Sequence, residues 1–343
     1  MRYMSDSKVL RMELGENSYD IVIERGALKR VGELFDLNRK VMIVTDDGVP
    51  EEYADTVADF AAESTVFTVP QGESSKELGW WRAILTKMLE REFTRRDCVV
   101  AVGGGVVGDL AGFVAATYMR GVDFYNIPTT VLSQLDSSIG GKNGVNLNDI
   151  KNMVGTFYQP KKVIIDLDLL HTLTTRQICN GLAEAVKVGL TSDKELFELF
   201  ENGNVPAHID EIVLRSLLVK KDVVEQDEKE QGLRRILNFG HTIGHAIESF
   251  EHLNGLYHGE CVALGMIPMV SDELRPRLLK VLEEIHLPTS IELNVDEVSE
   301  ALVHDKKIQG NSVIVTTVDE PGHYEMKSIQ YSEFAPLIEM VKK

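Results

Sequence analysis

The chain has 343 residues, with 43% hydrophobic and 26% charged residues and a formal net charge of −18 at pH 7. This length predicts two domains rather than one small core, and the composition is that of a globular protein, which excludes a largely disordered chain. The acidic balance argues against nucleic acid or an anionic membrane as partner, because either would need a basic face.

The cysteines indicate a reducing compartment. Cys98, Cys179 and Cys261 are few, far apart and odd in number, which argues against a disulfide framework. The first twenty residues mix charges throughout, unlike a signal peptide, and no apolar run reaches the length of a membrane span. We therefore expect a cytoplasmic protein.

The first half of the chain alternates strand-like and helical patterns. Two short strands around a turn at 15–17 are followed by a buried strand at 41–47, helix 51–63, strand 65–69, helix 74–92 and strand 98–102. This alternation predicts a parallel sheet with helices on both faces. Such sheets bind ligands at the carboxyl ends of their strands, where the sequence places Asp46 and the stretches 71–76 and 103–109.

Residues 103–108 read G-x-G-x-x-G between a predicted strand and a predicted helix. Backbone N–H groups at the start of such a helix can hold a pyrophosphate, although a tight strand-to-helix turn gives the same pattern. Asp123 stands about 20 positions further on, where a ribose partner is usual. Asp46 is the better candidate for a ribose or adenine partner because it ends a neighbouring strand. The acidic residue would then precede the glycine turn, which is not the spacing of an ordinary dinucleotide-binding fold.

The predicted strand 122–127 leads to Thr129 and Thr130, whose hydroxyls suit a phosphate or a ribose. Small and polar residues at 136–146, with lysines nearby, indicate an ordered anion-binding loop, and a flexible surface loop is the alternative. Strand 162–170 closes this half. From 174 to 303 the period is helical, so the domain boundary is expected near 165–172.

Two features of the helical half carry chemistry. Glu184 and Lys187 stand at i, i+3, and their small apolar neighbours favour an inward-facing pair over a solvated salt bridge. His241 and His245 lie one helical turn apart, and His258 can return to the same place, as in a metal site. A polar helix face or a buried structural histidine is the alternative. The first histidine lacks the adjacent Glu of an H-E-x-x-H zinc protease.

The remaining basic and polar candidates surround these histidines in the sequence. A predicted helix at 209–227 carries Lys220, and Arg234 and Asn238 lie on the approach to His241. The chain ends with a lysine pair at 306–307, a two-stranded segment at 313–327 and a final helix.

Taken together, these stretches resemble the 3-dehydroquinate synthase family. In chain order they are QGESSK, GGGVVGD, IPTT, SSIGGKNGVN, KNMVGTF, GLAEAVKVG, KKDVVEQDEKEQGLRRILNFGHTIGHAIE and HGE. The resemblance implies a dehydroquinate synthase-like fold, with a Rossmann-like, NAD-binding α/β domain at 1–168. A mainly α-helical domain at 169–343 would bind the metal and the substrate.

By motif, the resemblance implies a metal site, Zn2+ or Co2+, at Glu184, His241 and His258, with His245 left to handle protons near the substrate phosphate. The implied cofactor residues are Asp46, Glu73, Lys76, Gly105, Val106, Val107, Gly108, Asp109, Thr129, Thr130, Lys142, Lys151, Leu169, Leu170, His171 and Thr172. The implied substrate residues are Asp136, Lys142, Asn152, Lys187, Lys220, Arg234, Asn238 and one of Lys306 and Lys307. Arg120 resembles a residue that the family donates across a homodimer interface.

The implied reaction belongs to the shikimate pathway, which supplies chorismate and the aromatic amino acids. It converts 3-deoxy-D-arabino-heptulosonate 7-phosphate to 3-dehydroquinate and phosphate, by transient oxidation with NAD, β-elimination, re-reduction and aldol closure. Two alternatives stay open. One is another sugar phosphate cyclase, such as a 2-deoxy-scyllo-inosose synthase, whose substrate lacks a carboxylate, and the other is a glycerol or glycerol-phosphate dehydrogenase, which would release NADH.

Overall fold

The computed structural model describes residues 7–148, 150–250, 255–303 and 311–343. Lys306 and Lys307 lie outside the described residues, so the expectation about them is not addressed. The chain divides into two compact units, Met1–Leu173 and Thr174–Lys343. Within the described ranges, no helix combines the length and the hydropathy needed to cross a membrane.

The first unit alternates strands and helices. Its strands are β1 (Lys8–Met12), β2 (Tyr19–Ile23), β3 (Lys40–Asp46), β4 (Glu63–Val69), β5 (Cys98–Gly103), β6 (Asp123–Pro128), β7 (Lys142–Leu147), β8 (Ile150–Phe157) and β9 (Lys162–Ile165). Its α-helices are α1 (Val31–Leu34), α2 (Glu51–Ala58), α3 (Leu78–Glu90) and α4 (Gly105–Thr117). A seven-stranded sheet has the order β1-β2-β9-β6-β5-β3-β4, in which β1 and β2 are antiparallel and the other neighbours are parallel.

Helices cover both faces of this sheet. Met42 and Val44 of β3 pack in one hydrophobic core with α3 and α4, whereas Val41 and Ile43 pack in a second core with α1 and α2. Successive strand residues point to opposite faces, so a run of apolar residues is needed where both faces are buried. Each such side chain stabilises the fold by roughly 1.5–3 kcal/mol. The predicted doubly covered parallel sheet is confirmed.

Two local predictions were wrong. The stretch 136–146 is not one loop, because a π-helix at Ser133–Ser137 is followed by the antiparallel hairpin of β7 and β8. The predicted strand 162–170 ends at Ile165, and a 3-10 helix, Leu167–Thr172, follows it. Asp166 causes this change of structure, since its carboxylate accepts a hydrogen bond from the backbone N–H of Asp168 and caps the helix.

The second unit is mainly helical. Its α-helices are α5 (Thr175–Thr191), α6 (Lys194–Glu201), α7 (Ile209–Gln226), α8 (His241–Phe250), α9 (His258–Met266), α10 (Arg275–Glu284), α11 (Val295–Val303) and α12 (Phe334–Glu339). An antiparallel hairpin is formed by β10 (Ser312–Glu320) and β11 (His323–Gln330). The predicted class, an α/β unit with a mostly parallel sheet followed by a mainly helical unit, is confirmed.

Candidate active site

The structure places Asp46 beside the glycine turn at the carboxyl edge of the sheet. Asp46 is the last residue of β3, which pairs in parallel with β5, and β5 ends at Gly103. The chain continues from β3 to β4 and from β5 to β6, in opposite directions along the sheet. Such a switch point is where open α/β sheets bind ligands. Asp123 instead begins β6, at the other edge, where it pairs with Arg39 at 2.7 Å.

Close packing keeps side chains out of the glycine turn. A Cβ atom on Gly104 would lie 3.1 Å from Cγ2 of Thr130, and the N–H of Thr129 donates to the carbonyl of Gly103 at 2.9 Å. Helix α4 starts at Gly105, so its first N–H groups lie beside both threonines. Backbone donors, hydroxyls and missing side chains are the features of a phosphate cradle.

Asn146 of β7 contacts three predicted ligand residues, and a fourth joins them through Lys76. Its side-chain amide donates to Glu73 at 2.9 Å, its backbone N–H donates to the carbonyl of Lys76 at 2.7 Å, and its Oδ1 accepts from the N–H of Asn152 at 2.9 Å. The ammonium of Lys76, which is buried, pairs with Asp109 of α4. The structure therefore gathers Glu73, Lys76, Asp109 and Asn152.

The other candidates of this unit differ in exposure. Buried or half-buried are Val106, Val107, Gly108, Asp136, Lys151, Leu169 and Leu170. Exposed are Lys142, His171 and Thr172. Arg120 is exposed and lies beyond the end of α4 opposite the glycine turn, about 20 Å along a 13-residue helix. Arg120 is thus remote from the phosphate cradle of its own chain.

In the second unit, glycines bring α8 and α9 into backbone contact. A Cβ on Gly244 would lie 2.9 Å from the carbonyl oxygen of Cys261, and one on Gly265 would lie 2.0 Å from that of Gly240. Gly240 also has φ +76°, a conformation that favours glycine. The two helices can approach this closely only because these positions lack side chains.

This approach assembles a cluster of one carboxylate and three imidazoles. Nε2 of His241 lies 3.5 Å and Nε2 of His258 lies 3.7 Å from Oε1 of Glu184, which projects from α5. His245 belongs to the same cluster, since a ring nitrogen from each of the three histidines lies within 4.8 Å of the others. The predicted convergence of His258 on the pair in α8 is confirmed. Geometry alone admits His245 as a further donor.

The charges of this cluster depend on one another. Burial disfavours ionisation of Glu184, but Lys187 and His258 outweigh it and lower the pKa of the carboxyl group. Burial and the nearby Lys187 hold the pKa of His241 well below its ordinary value. For His258 burial acts in the same direction, yet the carboxylates of Glu184 and Glu248 raise its pKa to about 9. The cluster therefore offers an anionic carboxylate and a neutral His241.

Three basic side chains are buried in the second unit, and one of them, Lys187, contacts the cluster. The exposed fractions of Lys187, Lys220 and Arg234 are 2%, 6% and 2%. Lys187 pairs with Glu184 and donates to the carbonyl of Leu237 at 2.7 Å, beside Asn238. A solvated salt bridge is thereby excluded for Lys187. Buried cations in so acidic a chain fit an anionic ligand.

Sequence reasoning missed three supporting carboxylates. Glu230 accepts a hydrogen bond from Asn238 at 2.8 Å, and Asp227 accepts from the backbone N–H of Arg234 at 2.9 Å. Glu248 lies 3.4 Å from Nδ1 of His258. All three lie within the stretch 220–248 that carries the resemblance, but only the position of Glu248 follows from helical spacing, because it follows His241 by seven residues and so shares its helix face.

Solved structures with this fold include sugar phosphate cyclases. A 2-deoxy-scyllo-inosose synthase complexed with carbaglucose-6-phosphate, NAD+ and Co2+ has a TM-score of 0.87 and 26% identity, over 96% of this chain and 99% of that one. A 2-epi-5-epi-valiolone synthase from Streptomyces hygroscopicus with NAD+ and Zn2+ has a TM-score of 0.86 and 28% identity, over 96% and 98%. A probable glycerol dehydrogenase from Sinorhizobium meliloti, with 14% identity and a TM-score of 0.62 over 94% of this chain and 95% of that one, shares the fold alone.

The fold and the cluster thus define the class of sugar phosphate cyclases. Family models for the N-terminal and C-terminal parts of 3-dehydroquinate synthase match residues 66–180 and 181–308. The 3-dehydroquinate synthase of Streptococcus suis is 41% identical over 96% of this chain and 99% of its own length. That of Clostridium acetobutylicum is 38% identical over 95% and 98%. The chain belongs to the 3-dehydroquinate synthase family.

Proposed function

We propose that this chain is a lyase that converts 3-deoxy-D-arabino-heptulosonate 7-phosphate to 3-dehydroquinate and phosphate, using NAD and a divalent metal ion. The main support for this proposal is that Nε2 of His241 and Nε2 of His258 both face the buried Oε1 of Glu184. It joins the family assignment to a specific chemistry, because a carboxylate and two imidazoles form a usual catalytic zinc site with positions left for substrate.

The donor atoms fit a single ion. Two ligands of one tetrahedral zinc ion, each bound at about 2.1 Å, lie about 3.4 Å apart. The Nε2 atoms of His241 and His258 lie 3.5 and 3.7 Å from Oε1 of Glu184. Oε2 of this buried carboxylate pairs with Lys187, so Oε1 is the oxygen that faces both histidines. Glu184, His241 and His258 would hold Zn2+ or Co2+.

The first unit fits NAD. The glycine turn with Thr129 and Thr130 would receive the pyrophosphate, and Asp46 would receive a ribose hydroxyl. Burial raises the pKa of Asp46, while the N–H of Gly48 donates to its Oδ1 at 2.9 Å. When bound, NAD would supply a transient hydride acceptor and the metal ion would polarise substrate oxygens.

The buried cations would bind the charged ends of the substrate. Arg234 suits its carboxylate, because a guanidinium binds carboxylates in a bidentate manner, and the buried Lys187 and Lys220 add positive charge. His245 would move a proton near the phosphate, because its ring lies 5.2 Å from that of His241 and it is not needed as an ion ligand. We also expect Arg120 to act across a homodimer interface and the enzyme to work in the cytoplasm.

Turnover measurements test this function against its alternatives. The purified protein is given a small amount of NAD, Zn2+ and the heptulosonate phosphate, and phosphate release is followed together with nicotinamide absorbance. We expect phosphate far in excess of NAD, without net NADH, and loss of activity on chelation and in His241→Ala. Stoichiometric NADH would indicate a dehydrogenase. Activity only on a sugar phosphate without a carboxylate would indicate another cyclase.

A further inference from the structure

Glu248 is a buried carboxylate that the proposed reaction does not use. Its exposed fraction is 6%, and it lies on the face of α8 that carries His241 and His245. Its Oε2 is 3.4 Å from Nδ1 of His258, the first residue of α9. A carboxylate buried next to a histidine calls for an explanation, because burying it costs free energy unless a partner offsets the loss of water.

The contact between α8 and α9 sets the position of Glu248. Gly240 packs against Gly265, and Gly244 packs against Cys261. Residue numbers therefore increase along α8 where they decrease along α9, so the two helices are antiparallel. The next pair in this antiparallel register is Glu248 with His258. The carboxylate is therefore placed by the helix packing that assembles the cluster.

Both histidines that face Glu184 have their second ring nitrogen next to an acceptor. Nδ1 of His241 lies 3.0 Å from the carbonyl oxygen of Phe239, and Nδ1 of His258 faces Glu248. An Nδ1–H that donates to such an acceptor leaves the lone pair on Nε2. That lone pair is the one a metal ion binds, and the acceptor also fixes the ring orientation.

We propose that Glu248 is a positioning residue that holds His258 with Nε2 directed at the ion site, as the carbonyl of Phe239 does for His241. This inference rests on the proposed function, because it requires a divalent ion at Glu184, His241 and His258. Glu248 itself is not a ligand, since its carboxylate contacts the nitrogen of His258 that faces away from Glu184.

Cobalt binding tests the proposal without reference to turnover. Co2+ affinity of the apo protein is measured by competition with a chelator, together with the visible Co2+ spectrum and the melting temperature of the apo form. We expect Glu248→Ala to weaken Co2+ binding by about 10- to 100-fold and to change the spectrum. Glu248→Gln keeps an acceptor oxygen without introducing a cavity, so we expect a smaller loss.

Glu201→Ala is the matched control. Glu201 forms a bidentate pair with Arg277 in the same unit, with both N–O distances at 2.7 Å, and we expect its loss to leave Co2+ affinity unchanged. Wild-type Co2+ affinity and spectrum in both Glu248 variants would overturn the proposal alone. A wild-type protein that binds no Co2+ would overturn the proposed function as well. If Glu248→Ala does not fold, Glu248→Leu decides, because leucine fills a similar space without an acceptor oxygen, and wild-type Co2+ affinity and spectrum in that variant would contradict positioning of His258 by Glu248.

Discussion

Glu184 and Lys187 illustrate how one buried side chain depends on another. Their exposed fractions are 1% and 2%, and Lys187 contributes to lowering the pKa of Glu184 against the effect of burial. Removing one member of a buried ion pair costs about 3–5 kcal/mol, because the other charge stays behind without compensation. We therefore expect Lys187→Met to lower the free energy of unfolding of the metal-free protein by about 3 kcal/mol, measured by urea denaturation.

An exposed pair of the same kind provides the control. Lys194 lies 3.7 Å from Glu198, and its side chain is 65% exposed, so we expect Lys194→Met to change stability by less than about 1 kcal/mol. Adding Glu184→Gln to Lys187→Met should recover part of the lost stability, since it removes the uncompensated charge. Equal effects of the two lysine substitutions would show that the buried pair is not coupled in this way.

Residue types and spacing predicted that His241, His245 and His258 converge, but not what supports them. Spacing indicated only an inward-facing pair of Glu184 with Lys187, and the family resemblance alone placed Glu184 beside the histidines. The roles of Asp227 and Glu230 depend on loop conformation, because Asp227 meets the N–H of Arg234 only after the chain turns back on itself. The spacing patterns of helices and strands in the sequence cannot predict a contact of this kind, which forms within a loop.

At the scale of elements, the contact between α8 and α9 should tolerate no added side chain. Gly244→Ala would place a Cβ 2.9 Å from the carbonyl oxygen of Cys261, so the helices must separate. We expect a loss of about 1–3 kcal/mol in thermal unfolding and weaker Co2+ binding. Gly79→Ala in α3 is the control, because its Cβ meets nothing within 4 Å and should stabilise the helix slightly. Unchanged stability of Gly244→Ala would disprove a backbone contact here.

The turn after α7 depends on Asp227, whose carboxylate accepts from the N–H groups of Gln231, Gly232 and Arg234 at 2.8, 2.8 and 2.9 Å. We expect Asp227→Ala to release Arg234 and to raise KM for the substrate roughly tenfold, with a smaller effect on kcat. Steady-state kinetics check this. Asp222→Ala, which removes an exposed carboxylate of α7, should leave KM unchanged.

The lowered pKa of Asp227 leads us to expect that its contribution to stability depends on pH. Burial opposes ionisation of Asp227, but the backbone donors outweigh it and lower its pKa from 3.8. A group whose pKa is lower in the folded state stabilises the fold above its unfolded pKa and loses that contribution as pH falls through the folded value. The stability difference between wild type and Asp227→Ala should therefore be full at neutral pH and shrink below pH 3.8. A difference that persists unchanged in acid would contradict this.

The hairpin of β7 and β8 shows why one element escaped prediction. Asn143, Gly144 and Gly155 have low strand propensity, so the local sequence indicated a loop. Gly144 pairs with Gly155 across the hairpin, and a Cβ on Gly112 of α4 would lie 1.9 Å from Oδ1 of Asn143. Glycine is needed at these positions because neighbouring atoms leave no room for a side chain. Such close contacts arise from the tertiary fold and cannot be read from the local sequence.

At the scale of the whole chain, the alternation of strands and helices fixed the class of the first unit because a parallel sheet needs a crossover between strands. The order of strands followed less directly. Placing β3 between β4 and β5 requires the chain to reverse direction along the sheet, and that reversal brings Asp46 beside the glycine turn. The sequence alone indicated only that Asp46 ends a neighbouring strand at the ligand-binding edge of the sheet.

Arg120 provides a test of the assembled enzyme. It lies about 20 Å from the glycine turn of its own chain, at the exposed end beyond α4. If it completes the site of a partner, Arg120→Ala and His241→Ala should each be nearly inactive alone.

Mixed dimers of the two variants regain one complete site, because the Arg120→Ala chain keeps its ion ligands and receives Arg120 from its partner. Random exchange of subunits should then restore about a quarter of wild-type activity, since half of the dimers are mixed and each holds one complete site of two. Activity that stays at the sum of the separate variants after verified exchange would place the function of Arg120 within its own chain.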